Sequence, residues 1–241
     1  MINIKRTMLP KSLDTKEIRD YIDLAVRYLN NPNRFPKPDK PVSYRSSDLL
    51  KAFDRDFFSK CYLTEQMFPN SWIMDIEHFI PQSERPDLIY EWNNLFPADH
   101  NANMLKPRKT PNGGYLNPCD PNDDVENEIV YTLSAYGDVP DFIAKDKNNI
   151  KAVNTCNLLK KLHNGHDYNT RQSTKALRHA IQKKYINILK KIIEYQQYPQ
   201  KSQQKFQALR ELRDFLSRQS SFTMLCRSIP AVLLIREELF D

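Results

Sequence analysis

The stretch Asp75-Ile76-Glu77-His78-Phe79-Ile80-Pro81, then Trp92-Asn93-Asn94-Leu95, then Asn101-Ala102-Asn103-Met104-Leu105-Lys106 gathers the densest group of chemically able side chains in this 241-residue chain. Around it, from Cys61 to about Tyr131, short apolar pieces are separated by Pro, Asn and Asp, which predicts a compact mixed segment. On its N-terminal side, residues 12–30 place Ile18, Ile22, Ala25, Val26 and Leu29 at the spacing of an amphipathic helix, with Ser12 or Asp14 as its cap. Pro32, Pro36, Pro38 and Pro41 then forbid regular structure, and a second helix is expected from Ser46 to near Cys61. On the C-terminal side the spacing predicts helices from Ala152 to Leu162, Thr174 to Tyr195, Lys205 to Arg218, and Thr223 to Phe240 with a break at Pro230. The expected architecture is α+β and mostly α-helical: an N-terminal helical extension (1–60), a small mixed core (61–130) and a C-terminal helical region (131–241).

Composition narrows the function classes. A chain of this length buries a core without staples, and 40% hydrophobic with 27% charged residues fits a globular protein. The longest apolar run, Ile229 to Ile235, is far shorter than the roughly 18 residues of a membrane span, so no membrane role is expected. Lys5 and Arg6 are followed by no apolar signal region, which gives an intracellular, cytoplasmic expectation. Cys61, Cys119, Cys156 and Cys226 form no CxxC pair, so reduced thiols and no structural zinc are expected. With only 4 glycines, two of them adjacent, there is no Gly-rich phosphate loop.

The central residues suit metal-assisted phosphodiester hydrolysis. A hard divalent cation, Mg²⁺ or Mn²⁺, takes a carboxylate and a carbonyl oxygen and keeps waters and phosphate oxygens in its shell; Glu77 and Asn103 could supply those two. A neutral imidazole beside the ion takes a proton from the attacking water, the role suited to His78. Asn103 and Lys106 fall at i and i+3 of a short predicted helix and could face one phosphate, Lys106 as a point charge. Asn94 would brace the backbone around His78. In a regular strand Asp75 and Glu77 face one side and His78 the other, so the strand is expected to end or bulge at Glu77–His78. Without a bulge, Asp75 becomes a rival metal ligand and Glu77 a surface charge.

The order EHFIP, WNNL, NxxK resembles the HNH, or ββα-metal, endonuclease superfamily. The resemblance implies a strand that delivers the histidine, a second strand, and a helix that brings the last ligand. It assigns His78 as general base, Glu77 and Asn103 as metal ligands, Asn94 as the central Asn and Lys106 as the basic residue that follows, and implies products with a 5′-phosphate and a 3′-hydroxyl. More loosely, Leu116-Asn117-Pro118-Cys119-Asp120-Pro121, Gly137 and Ala152-Val153-Asn154-Thr155 are similar to the nuclease subunits of Septu-type anti-phage systems and related retron effectors. That implies a defence role and an ATPase partner. Where many HNH relatives hold a structural zinc on two CxxC pairs, this chain reads Cys61 with Thr64 and Asp99 with Ala102. Packing must replace the zinc, with Trp72, Trp92, Phe79, Leu95 and Phe96 as candidates.

The charge distribution suggests a partner. Residues 75–128 hold eleven acidic against four basic residues, whereas 171–220 hold twelve basic against three acidic. Lys183, Lys184, Lys190 and Lys191 are the candidate nucleic-acid contacts, with an acidic protein partner as the alternative. DNA is the favoured substrate. RNA, such as tRNA, and a binding or assembly module with a decayed site stay open as alternatives. His100, three residues before Asn103, could approach the site but reads as a surface turn residue. His163, His166 and Asp167 could form a metal cluster but read as structural, with Gly165 ending a helix, and the acidic run at Asp120 reads as a turn. The apolar terminal segment, Met224 to Phe240, completes the core or meets a partner.

Overall fold

The computed structural model describes residues 1–240, apart from the side chains at 238 and 240. Helix α1 (Lys16–Asn30) starts at Thr15, whose hydroxyl accepts from Ile18 N; Asp14 pairs with Arg19 instead, and Ser12 lies in a single 3-10 turn. Its inward stripe is Ile18, Tyr21 and Ala25, while Val26 and Leu29 stay exposed. Helix α2 (Ser47–Asp56) stops short of Cys61, because Phe58 and Ser59 adopt left-handed backbone angles that no helix continues.

Strands β1 (Asp75–His78) and β2 (Leu95–Ala98) pair antiparallel, and α3 (His100–Leu105) follows directly, capped by the Asp99 carboxylate on Ala102 N. Burial alternates along β1, with Ile76 and His78 inward, whereas β2 is buried on both faces. Beneath them Arg6 stacks its guanidinium on Trp92 and Phe96, at 4.2 and 4.3 Å, and donates to Leu95 O at 2.7 Å. Trp92, Leu95 and Phe96 are core residues and Phe79 packs on them, but Trp72, expected to join them, is 54% exposed. It sits in a 3-10 turn (Ser71–Ile73) that leads into β1 from outside. At Cys61, where the sequence offers no CxxC pair, Thr64 N donates to the buried Sγ at 3.5 Å, so the turn is held by a hydrogen bond and by packing.

A second sheet, β3 (Ile129–Leu133) with β4 (Pro140–Ala144), was not expected from the sequence. Ile129, Tyr131, Phe142 and Ala144 face the core, and α4 (Ile150–Asn164) covers β4. Gly165, with φ near +67°, ends α4 as expected. Then come α5 (Tyr168–Ser173), α6 (Lys175–Gln197) and α7 (Gln203–Leu216), with α6 and α7 packed together.

The terminal segment is three short helices, α8 (Thr223–Arg227), α9 (Pro230–Leu233) and α10 (Arg236–Phe240), rather than one helix with a single break. Leu225, Ile229, Val232, Ile235 and Leu239 complete the core; Leu233 and Leu234 remain exposed, and the Phe240 side chain lies outside the described residues. One cluster of buried residues joins all three sequence segments, including Leu50, Phe96 and Leu159. Among the described residues no helix is long and apolar enough to cross a membrane.

Candidate active site

β1 runs regularly to its end: Glu77 pairs with Phe96 and His78 with Leu95. The expected bulge is absent, because the ladder continues through His78 and Phe79 N still donates to Asn94 O at 2.8 Å. Glu77 nevertheless does not become a surface charge. Its side chain is 12% exposed and Oε1 accepts from Lys106 Nζ, while that ammonium also donates to the carbonyls of His78 and Phe79, each at 2.9 Å. All three Lys106 donors are therefore engaged at the end of β1. The point charge expected to reach a phosphate instead clamps the strand, because the helix ends at Leu105 and Lys106 turns back under it. Burial pushes the Lys106 ammonium down and the Glu77 carboxyl up, and in each it outweighs the attraction between them.

His78 is buried, its ring edge-on to Tyr44 with centroids 5.0 Å apart. Nε2 lies 3.1 Å from Ile89 O. A carbonyl only accepts, so Nε2 carries the hydrogen and Nδ1 keeps its lone pair. Burial lowers the imidazole to about 4, against the opposing hydrogen bond to Ile89, so the ring is neutral at pH 7. Asn94 fixes the segment that supplies this carbonyl: Oδ1 accepts from Ile80 N at 2.7 Å, and Nδ2 donates to Ile80 O and Leu88 O at 3.1 Å.

On the other face of β1, Asp75 Oδ2 accepts from Asn103 Nδ2 and from His100 Nδ1, both at 2.9 Å. His100, read from the sequence as a turn residue, opens α3 and touches the site. Its i, i+3 spacing from Asn103 was the available signal. Tyr44 and the Ile89 carbonyl carried none, since they reach His78 only through tertiary packing.

Glu77, His78, Asn103 and Lys106 together line a cleft of about 320 Å³, joined by Met104 and Arg108. Asn103 directs its amide nitrogen to Asp75, so its carbonyl oxygen is the atom left for a ligand, and Glu77 Oε2 has no partner among the described residues. Within the cleft, Glu77 and Asn103 offer a carboxylate and a carboxamide oxygen, a hard, oxygen-only pair. That suits a Mg²⁺-like ion, which takes one or two carboxylates and fills its shell with water and phosphate. Among the described residues no three His, Cys, Asp or Glu side chains gather into a metal site.

The basic candidates divide. Lys184 donates to the Ser220 and Ser221 hydroxyls, and Lys191 pairs with Glu194 and Glu211 at 2.5 and 2.6 Å. These two are engaged inside the helical region, while Lys183 and Lys190 are exposed. His163 is buried at the end of α4, and Asp167 caps α5, as structural readings require.

No family model matches the chain, and no solved structure matches it. It is similar to the Septu protein PtuB of Bacillus thuringiensis, 31% identical over 108 residues that span 44% of this chain. The match covers 37% of the length of that relative.

Proposed function

We propose that the chain is a metal-dependent endonuclease of HNH type that hydrolyses phosphodiester bonds, DNA in preference to RNA, with Mg²⁺ or Mn²⁺ as its ion. The observation that carries the reading is the neutral His78, whose Nε2–H is engaged by Ile89 O, in one cleft with Glu77 and Asn103. His78 Nδ1 takes the proton of the attacking water, and the bond to Ile89 becomes stronger as the ring gains charge. Glu77 and Asn103 hold the ion through oxygen; when bound, it stabilises negative charge on the phosphoryl and leaving oxygens. Asn94 and Lys106 act through the backbone, by fixing the strand end and the loop that orient the imidazole. The sequence order of these groups, and the succession of β1, β2 and α3, support the assignment. The partial similarity to a Septu protein supports a role in anti-phage defence, and the family resemblance supplies an ATPase subunit as partner.

The test is cleavage of plasmid DNA and of tRNA by wild type and His78→Ala, with Mg²⁺ or Mn²⁺, with and without a co-purified ATPase. Wild type is expected to cleave DNA, to stop on chelation, and to lose at least about 100-fold per folded molecule in His78→Ala, assayed below the melting temperature of both proteins. Equal rates in both proteins, or none in either with the partner present, favour the binding module. Cleavage of tRNA alone would make it an RNA nuclease.

A further inference from the structure

A second cleft, of about 460 Å³, opens between α5, the first turns of α6 and the turn that joins β3 to β4, and shares no residue with the cleft at His78. Arg178 is fixed within it: Nη1 donates to Thr174 Oγ1 at 2.5 Å and His163 O at 3.3 Å, and Nη2 to Arg171 O at 3.0 Å. The Arg171 guanidinium and the Lys175 ammonium, four residues apart, are exposed on the same lining and have no side-chain partner among the described residues. Asp138 is the acidic group there, and Ser134 Oγ donates to it at 2.6 Å.

The opposite wall is seated firmly. Gln182 donates to Tyr136 O at 3.3 Å and Tyr185 to Ala135 O at 3.2 Å. Gly137 has φ near +70°, and a Cβ there would fall 2.3 Å from the Tyr185 ring, so the turn rests directly on α6. This leaves Tyr136 on the turn 78% exposed, and Tyr168 on the cleft lining 75% exposed. Large aromatic rings kept in water beside uncommitted cations are what an unpaired strand requires: the cations neutralise phosphates and the ring faces stack on bases, which a duplex hides.

We propose that this cleft binds an unpaired nucleotide segment, with phosphates at Arg171 and Lys175 and a base on Tyr168. It rests on the nuclease reading for the strand's biological meaning and refines it by naming an unpaired region as the element recognised. Binding is measurable without cleavage.

The experiment is fluorescence anisotropy of the full chain carrying His78→Ala, against a labelled 20-nucleotide single strand and the matching duplex, between 50 and 200 mM salt. The single strand is expected to bind at least tenfold tighter than the duplex. Arg171→Gln with Lys175→Gln should weaken it about tenfold or more and flatten the salt dependence by about 1.4 in log–log slope. Tyr168→Ala should weaken it about tenfold and Tyr168→Phe should retain it, because stacking needs the ring alone. Thermal melting checks that each variant folds. Equal affinity for duplex, unchanged binding in the double variant, or equal loss in Tyr168→Phe and Tyr168→Ala overturns the proposal. Binding of an acidic peptide instead of either oligonucleotide assigns the cleft to a protein and also overturns it. Failure here leaves cleavage by wild type untouched, whereas equal cleavage by wild type and His78→Ala would overturn the nuclease reading and leave this binding intact.

Discussion

The sheet of β1 and β2 and the sheet of β3 and β4 each shelter a buried histidine in much the same electrostatic setting. His78 is held at Ile89 O and edged by Tyr44; His163 is held at Leu159 O, 2.8 Å away, and packs on Phe142 with centroids 4.8 Å apart. Burial lowers both to about 4. Access separates them. His163 is enclosed at 1% exposure, with the Thr64 backbone against it as well, whereas His78 lines a cleft with two oxygen donors. A depressed histidine therefore marks burial, and only the free nitrogen and its neighbours mark chemistry.

The sheets also differ in what holds them. The β3–β4 turn is short, residues 134–139, and the sheet rests on apolar packing at Phe142 and Tyr131. The β1–β2 connection runs from 79 to 94 and depends on the amide of Asn94 and the ammonium of Lys106. Phe142→Ala should be the most damaging change, costing about 3–5 kcal/mol in urea unfolding while leaving cleavage per folded molecule within about twofold. A cost under about 1 kcal/mol would show that the second sheet is peripheral.

Acid should expose the histidines next. Each binds its proton more readily unfolded, near 6.5, than folded, near 4, so stability is full above pH 6.5 and falls as pH drops toward 4. The loss is about 3 kcal/mol per histidine. In His163→Phe, urea midpoints taken between pH 7 and pH 4.5 should lose about half of this slope. An unchanged slope would show that His163 is not the group titrating.

Asn94→Ala removes three hydrogen bonds around the His78 loop and should cost about 2 kcal/mol. On the proposed nuclease reading its sharper effect is on rate: cleavage should fall more than about tenfold while Mn²⁺ affinity, read by calorimetry, stays within about threefold. Loss of both together would place Asn94 on the ion rather than on the backbone.

Much of the helical architecture was legible locally. The 3.6-residue spacing located α1, α4, α6 and α7, and Gly165 marked the end of α4. The β3–β4 hairpin was not, because its strands span five residues each and carry exposed Val130 and Ile143 on the outer face, which blurs the alternation. In the site, the chemical types and order of Glu77, His78, Asn94 and Asn103 were readable. Their partners were not, since Lys106 to Glu77 and Asp75 to Asn103 cross nearly thirty residues and depend on how α3 lies against β1.

What order alone determined is the set of groups available: one imidazole between carboxylate and apolar neighbours, a carboxamide one helical turn before a lysine, and a basic tail of helices. Folding decided which of them are free. It turned Lys106 under the strand, bonded Asp75 to Asn103 and His100, engaged Lys184 and Lys191, and left Arg171, Lys175 and Tyr168 open. The reason is that a side chain's type is a local property, while its partners and its exposure are set by distances between segments remote in the chain.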